Sequence, residues 1–396
     1  MILTPALLYT KDTVFPGLYA LIPCLGTALI IFIGKSSSLN HILSHKGMVK
    51  MGFISYSVYL IHWPLFVFYK YWVFEDINHL ETLALLLSSF VAGYLMWRFI
   101  ENPFRYKSQN RSIENGSSRL FLLSLLLILA ALFYVSHYIW KNQGLPSRMP
   151  AEFLMSQEEV FENRSRFRKD FSSNLSDLLK GNENSKNVAV IGNSHAVDLL
   201  YVLRENGSTL NFTLLSTSAR CFNFGTALEK KHEKYCKSKL NFNLKASKFK
   251  DIDAVYLHDH WPRFDGNDLT NRLAEIRAVT KAPIYVFGPK MTYDKFVPQM
   301  VAAHMRMASI NQYSTKFMVP HKKTTNDSIK SLIENIDIEN VFFVDVLKSQ
   351  CGEKVEDCQI VSEKNHKFLY FDAGHFTLQG ALEMGKKLKL NYPEVF

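Results

Sequence analysis

Residues 187–206 read NVAVIGNSHAVDLLYVLREN. Asn187–Ile191 is a short apolar run of the buried-strand type. Ala196–Asn206 carries apolar residues at helical spacing. Between them stand Gly192-Asn193-Ser194-His195. A serine at such a turn lies at the carboxyl end of a strand, where open α/β sheets place their ligands. The glycine permits a tight turn. The start of the helix brings unpaired backbone N–H groups and a positive dipole end. An acyl-transfer nucleophile needs that combination of exposure and oxyanion stabilisation. A serine that only caps a helix has the same local signature.

Further strands follow at Asn211–Ser216, Ala254–Leu257, Pro283–Gly288 and Val341–Val344. Helical patterns lie near 268–280, 298–316 and 324–335. Strands alternating with helices predict a parallel sheet in an α/β domain over 187–396. Residues 141–186 are polar and read as a linker and accessory region packed on that domain.

The upstream part is different. Leu18–Ile33, Phe53–Phe74, Leu83–Trp97 and Leu120–Trp140 are long apolar runs with at most one lysine each. About 18–20 apolar residues span a bilayer, so four membrane helices are expected. Bases fill the loops at 34–52 and 101–119, and acids fill the loop at 73–81. The positive-inside rule then makes 34–52 and 101–119 cytoplasmic and sends everything after Trp140 to the other side. The expected units are 1–105, with three membrane helices; 106–140, a basic linker and the last helix; 141–186, the linker; and 187–396, the α/β domain. The chain's 396 residues, 47% hydrophobic and 21% charged, exclude a disordered, collagenous or disulfide-dense miniature protein. The net charge of +10 is assigned largely to the cytoplasmic loops, and no nucleic-acid partner is expected.

Cys24 falls in an apolar helix, and the other four cysteines are all on the exported side. That even count fits two disulfides, Cys221–Cys236 and Cys351–Cys358. Closing the 15-residue loop is worth about 3 kcal/mol. A four-cysteine metal site is the alternative, but no C-x₂-C pair supports it. No metal is expected.

Near the C-terminus, Phe371-Asp372-Ala373-Gly374-His375-Phe376-Thr377 precedes a helical stretch. Serine needs a base to take its proton. His375 can serve, and Asp372 can orient it and stabilise the imidazolium.

These blocks resemble the SGNH hydrolase fold, in which a Gly-Asp-Ser block and a terminal Asp-x-x-His block form the triad. Here Asn193 stands where Asp is usual. The whole chain resembles bacterial membrane acyltransferases of the acyltransferase-3 type fused to a C-terminal SGNH domain. Those enzymes O-acetylate lipopolysaccharide O-antigen and related glycans. Ser55-Tyr56-Ser57-Val58-Tyr59-Leu60-Ile61-His62-Trp63-Pro64-Leu65 and Ile100-Glu101-Asn102-Pro103-Phe104-Arg105 are similar to the motifs of that family's last membrane helices. Gly192–Ala196, Leu257–Trp261, Cys351…Cys358 and Phe371–Thr377 carry the likeness through the exported part. The resemblance implies an inner-membrane protein with a periplasmic C-terminal domain, acetyl-CoA as the ultimate donor and a glycan acceptor. Full-length relatives begin with several more membrane helices, and an early one carries the histidine thought to handle the acyl donor. This chain starts near the last few. It is therefore expected to be a truncated or split frame, or to work with a separate membrane subunit. Hydrolysis by the same triad and a non-catalytic role in glycan assembly are the alternatives.

Other residues receive weaker assignments. His62 is read as a packing residue, and Glu101 as a partner of Arg98 or Arg105. His260 and Trp261 are expected to line the acceptor site, since aromatic faces suit sugar rings. Asn193, Gly225 and Asn223 are the candidates for oxyanion or turn roles.

Overall fold

The computed structural model describes residues 3–10, 13, 17–33, 38–103, 115–142, 144–145, 151–172, 176–218, 220–304 and 307–396. It divides into two compact units, Met1–Ala131 and Leu132–Phe396.

In the first unit the apolar run at 18–33 forms a 3-10 turn, Leu18–Ala20, and helix α1, Leu21–Ile33. At about 1.5 Å per residue this run reaches roughly 24 Å, short of a ~30 Å hydrocarbon core. Three helices among the described residues, rather than the expected four, are long and apolar enough to cross a membrane. They are α2, Lys46–Val73; α3, His79–Met96, continued by a π-helical turn Trp97–Glu101; and α4, Asn115–Lys141. A capping box starts α3. Asn78 Oδ1 accepts from Glu81 N at 2.9 Å, and Glu81 Oε2 accepts from Asn78 N at 2.8 Å.

Small residues bring α2 and α3 together. A side-chain carbon at Gly93 would stand 2.8 Å from Val58 Cα and 2.9 Å from Val58 N. Nearby, the buried Ser57 hydroxyl donates to Glu101 Oε2 at 2.7 Å, a partner the sequence had not indicated. Close backbone approach through Gly and Ser is how apolar helices pack when lipid removes the hydrophobic drive. His62 turns inward on its own helix, with Nδ1 2.6 Å from the Tyr59 carbonyl oxygen.

After the last residues of α4, the second unit continues with α5, Ala151–Ser172, which buries Val160, Asn163 and Phe167 on one face. A five-stranded parallel sheet follows: β1, Asn187–Gly192; β2, Asn211–Ser216; β3, Ala254–His258; β4, Ile284–Phe287; and β5, Val341–Val344. Their order is β2-β1-β3-β4-β5. The chain leaves β1 through α6, Ser194–Glu205, to pair on one side, then crosses to the other. The carboxyl end of β1 is therefore the topological switch point. Its register sets Gly192 between Ser216 of β2 and His258 of β3. Helix α7, Glu233–Asn243, follows β2. Helices α8, Gly266–Val279, and α9, His321–Asn335, cover one face. There Leu269, Leu273, Ile276, Ile329 and Ile333 pack with Ala189, Ile191, Val255, Leu257 and Val286. Helix α10, Leu378–Asn391, packs on α6. Burial on both faces explains why the central strands read as continuous apolar runs.

The helix expected over 298–316 is broken into Val297–His304 and Ile310–Ser314, with 3-10 turns at 307–309 and 315–317. Ser314 and Thr315 turn their hydroxyls back onto the Asn311 and Gln312 carbonyls, at 2.7 and 2.8 Å. Such bonds compete with helix continuation. Both expected disulfides are present, Cys221–Cys236 and Cys351–Cys358.

The charge also lies elsewhere than expected. Residues 229–250 hold eight lysines and two glutamates, a net +6 of the chain's +10. Around the exposed Phe242 ring, Lys248, Lys245 and Lys239 place their ammonium groups 3.5, 5.4 and 6.0 Å from its centroid.

Substituting Gly93 by Leu should push α2 from α3, because Val58 backbone cannot yield; overpacking of this kind costs about 1–3 kcal/mol. Thermal unfolding of the full chain in detergent should show a lower midpoint for Gly93→Leu but not for Gly52→Leu. Gly52 has open space around its Cα. Equal midpoints for the two variants would contradict the helix contact.

Candidate active site

Ser194 leaves the sheet at the carboxyl end of β1 and is the first residue of α6. Gly192 makes the turn possible, because any side chain there would collide with the His258 carbonyl and with Ala196 Cβ. Asn193 caps α6, its Oδ1 accepting from His195 N at 3.0 Å. Its Nδ2 donates to Asp259 Oδ1. Asn193 therefore spends its amide on turn geometry.

The Asp372–His375 loop meets Ser194 from 181 residues away. His375 Nε2 is 2.8 Å from Ser194 Oγ, and His375 Nδ1 is 2.8 Å from Asp372 Oδ2. Asp372 Oδ1 accepts from Gly374 N and His375 N at 2.8 and 2.7 Å. One carboxylate oxygen thus shapes the loop while the other holds the imidazole. Burial pushes the Asp372 carboxyl up, but its bonds to His375 and the two N–H groups outweigh this and hold it below the usual range. Asp372 and His375 are 24% and 21% exposed, so the pair is open to solvent. The sequence places these three residues in separate motifs, and the structure brings them into one hydrogen-bonded line.

Aromatic rings fix the imidazole. Phe371 stacks on His375 at 5.7 Å, and Phe167 of α5 stands 4.9 Å away. On the same helix, Asn163 Oδ1 accepts from Leu378 N at 2.7 Å, tying α5 to the first residue of α10. The accessory helix therefore touches both sides of the His375 loop. Nothing in its polar sequence signals this.

Behind Ser194 lies a row of histidines. His195 is 4.7 Å from His260, 5.2 Å from His375 and 6.1 Å from His258, ring to ring. Burial pushes His195 well below its usual value and brings His258 and His260 down to about 3, with the Lys290 and Lys322 charges adding to the effect. All three are neutral near pH 7. Burial raises Asp259 to about 7 against the pull of surrounding N–H groups. It lowers Lys322 to about 7, against the Asp259 charge. Lys322 Nζ donates to the His260 carbonyl at 2.5 Å.

Trp261 corrects an expectation. It is 1% exposed, packs edge-on to Phe224 and donates its indole N–H to the Phe287 carbonyl at 3.1 Å. A fully enclosed indole belongs to the core and cannot line an acceptor cleft. His260 remains beside the site. Asn223 gives its amide to Asp265 O and Asp268 Oδ2, at 3.1 and 3.3 Å. Gly225 donates its N–H to Phe222 O at 3.1 Å and lies against Leu240. Both donors are therefore already engaged in the structure, one tying the Cys221 hairpin to the start of α8 and one within the hairpin turn. Asp198, Lys290 and Lys322 were missed by sequence reading. Only Asp198 left a trace, as a charge inside the apolar stretch AVDLLYVL. Among the described residues no cluster of metal-ligating side chains is present.

Residues 163–389 match the sequence family described as "SGNH domain (fused to AT3 domains)". Among solved structures the chain is similar to the periplasmic domain of the lipopolysaccharide acetyltransferase of Salmonella ser. Paratyphi A. That domain is 13% identical, with a TM-score of 0.42 over 60% of this chain and 99% of the other. No curated protein sequence matches.

The neutral histidines make a stability prediction with a definite sign. The unfolded chain binds protons at these imidazoles near pH 6.5, while the folded chain does not until about 3 for His258 and His260. Stability therefore falls as pH drops from 6.5 towards 3, by up to about 1.4 kcal/mol per pH unit for each imidazole. Asp372 acts in the same direction at lower pH, because its depressed carboxyl loses its contribution on protonation. Urea unfolding between pH 7 and 5 should show this slope, partly offset by the proton that folded Asp259 takes up below about 7, and His258→Gln should flatten it by one further proton. An unchanged slope in that variant would refute the neutral, buried state of His258.

Proposed function

Because the chain belongs to the family of SGNH domains fused to AT3 domains, we propose that it transfers an acyl group through Ser194 to a hydroxyl of a bacterial surface glycan. Acetyl is the acyl group of choice, and lipopolysaccharide O-antigen the type of acceptor. The observation that carries this reading is the unbroken Ser194–His375–Asp372 line at the sheet's switch point.

His375 Nε2 takes the proton from Ser194 Oγ as the oxygen attacks the acyl carbonyl. Asp372 holds Nδ1–H and stabilises the imidazolium. The start of α6 lies beside the oxygen and favours developing negative charge. The donor's leaving group departs with the proton from His375, and the acyl group stays as an ester on Ser194. A glycan hydroxyl then attacks that ester, His375 takes its proton, and Ser194 Oγ recovers it. Acetyl-CoA is the ultimate donor in this scheme. A separate subunit, or further membrane helices, would carry the acyl group across the bilayer. The three helices long and apolar enough to cross a bilayer support a location in the inner membrane, with the second unit on the periplasmic side. The two disulfides suit that oxidising compartment. If water replaces the glycan, the same steps remove acyl groups, and the enzyme is an esterase. A non-catalytic remnant would have no reason to keep the three side chains aligned.

The full-length chain in detergent should hydrolyse an aryl acetate. Ser194→Ala and His375→Ala should each lower kcat by about a thousandfold or more. A Ser194→Ala variant as active as the parent removes the serine from the chemistry. With a glycan acceptor present, acetylated sugar should appear at the expense of free acetate. Release of acetate alone, with no sugar ester, would make the chain an esterase.

A further inference from the structure

We propose that the buried Lys290–Asp198 ion pair is a positioning device that keeps the helix of the nucleophile in register with the loop of the base. This rests on Ser194 being the nucleophile. Lys290 Nζ donates to Asp198 Oδ2, and both side chains are 1% exposed. Asp198 lies four residues after Ser194, one turn along α6. The same ammonium stands 4.3 Å from the centroid of the Phe376 ring, the residue directly after His375. Lys290 itself lies two residues beyond Gly288, where the chain leaves β4. Three segments far apart in sequence thus meet at one cation. One carries Ser194, one carries His375, and one comes from the sheet that supports both.

Fold stability does not explain the pair. Burial disfavours the charged forms of both groups, raising Asp198 and lowering Lys290 despite their contact. Replacing a buried ion pair by apolar side chains of similar volume is commonly neutral or stabilising. What an apolar pair lacks is direction. Nζ must point at Asp198 Oδ2 while presenting its charge to the face of Phe376, and these demands fix α6 against the His375 loop. The Ser194–His375 bond of 2.8 Å leaves little tolerance for a shift between them. A misplacement of about 1 Å costs on the order of 100-fold in rate.

The test uses the full-length chain in detergent, with aryl acetate hydrolysis and thermal unfolding measured on the same samples. The double variant Asp198→Leu/Lys290→Met should unfold at the parent's midpoint or above it. Its kcat should fall about 100-fold with KM nearly unchanged. Asp198→Asn keeps side-chain length and an oxygen for Lys290 Nζ, and should retain kcat within about threefold of the parent. The proposal is overturned by parental kcat in the double variant, or by an Asp198→Asn variant as slow as the double one. A drop in unfolding midpoint that accompanies the loss of rate assigns the pair to stability and overturns it equally. Failure of the underlying reading looks different: Ser194→Ala would then hydrolyse the ester as fast as the parent.

Discussion

The close passage of Gly192 past the His258 carbonyl governs the second unit. Two parallel strands, β1 and β3, stay hydrogen-bonded up to this point, and only a residue without Cβ fits between them and Ala196. The chain can therefore turn sharply at the end of β1 and begin α6 at once. Ser194 emerges at the carboxyl end of β1, where neighbouring connections run to opposite sides of the sheet. Asn193 closes the turn by capping α6 and gripping Asp259 at the end of β3. Strand pairing, helix start and the position of Ser194 are consequences of one tight approach.

Around this turn the site divides into a wet half and a dry half. Ser194, His375 and Asp372 stand partly exposed to solvent. Behind them His195, His258, His260, Asp259, Lys322, Lys290 and Asp198 are mostly enclosed. Burial drives these groups towards their neutral forms. The His375 imidazole thus stands beside three histidines that stay neutral near pH 7. Helix α5 completes the support from outside, with Phe167 against the imidazole and Asn163 on the start of α10.

The first unit follows different packing rules. Its helices present Leu, Ile, Phe and Trp outward, which costs nothing in hydrocarbon and would be unfavourable in water. Helix contact there uses Gly93, Ser57 and a hydroxyl-to-carboxylate bond to Glu101, with Leu85 and Ser89 also buried on α3. Two sets of packing rules within one chain explain a mean hydropathy of −0.04 that describes neither unit.

The five strands, the strand–turn–helix at Ser194, the Asp372–His375 block, both disulfide pairings and the apolar character of the first unit were all legible in the residue order. Each is a local pattern: a run, a spacing, a turn residue or a count. Tertiary structure alone decided the rest. Trp261 is an aromatic residue next to site residues, yet it is enclosed because Phe224 and the Phe287 carbonyl reach it from elsewhere in the chain. Asn223 looked free to donate until Asp265 and Asp268 claimed its amide. Asp198 and Lys290 are 92 positions apart, and Phe167 meets His375 across more than two hundred residues. The first apolar run reads like a span but forms a helix too short for one. Periodicity reports which face of an element is apolar. Which distant group fills that face, and what the filling does to a charge or a donor, follows only from the folded packing.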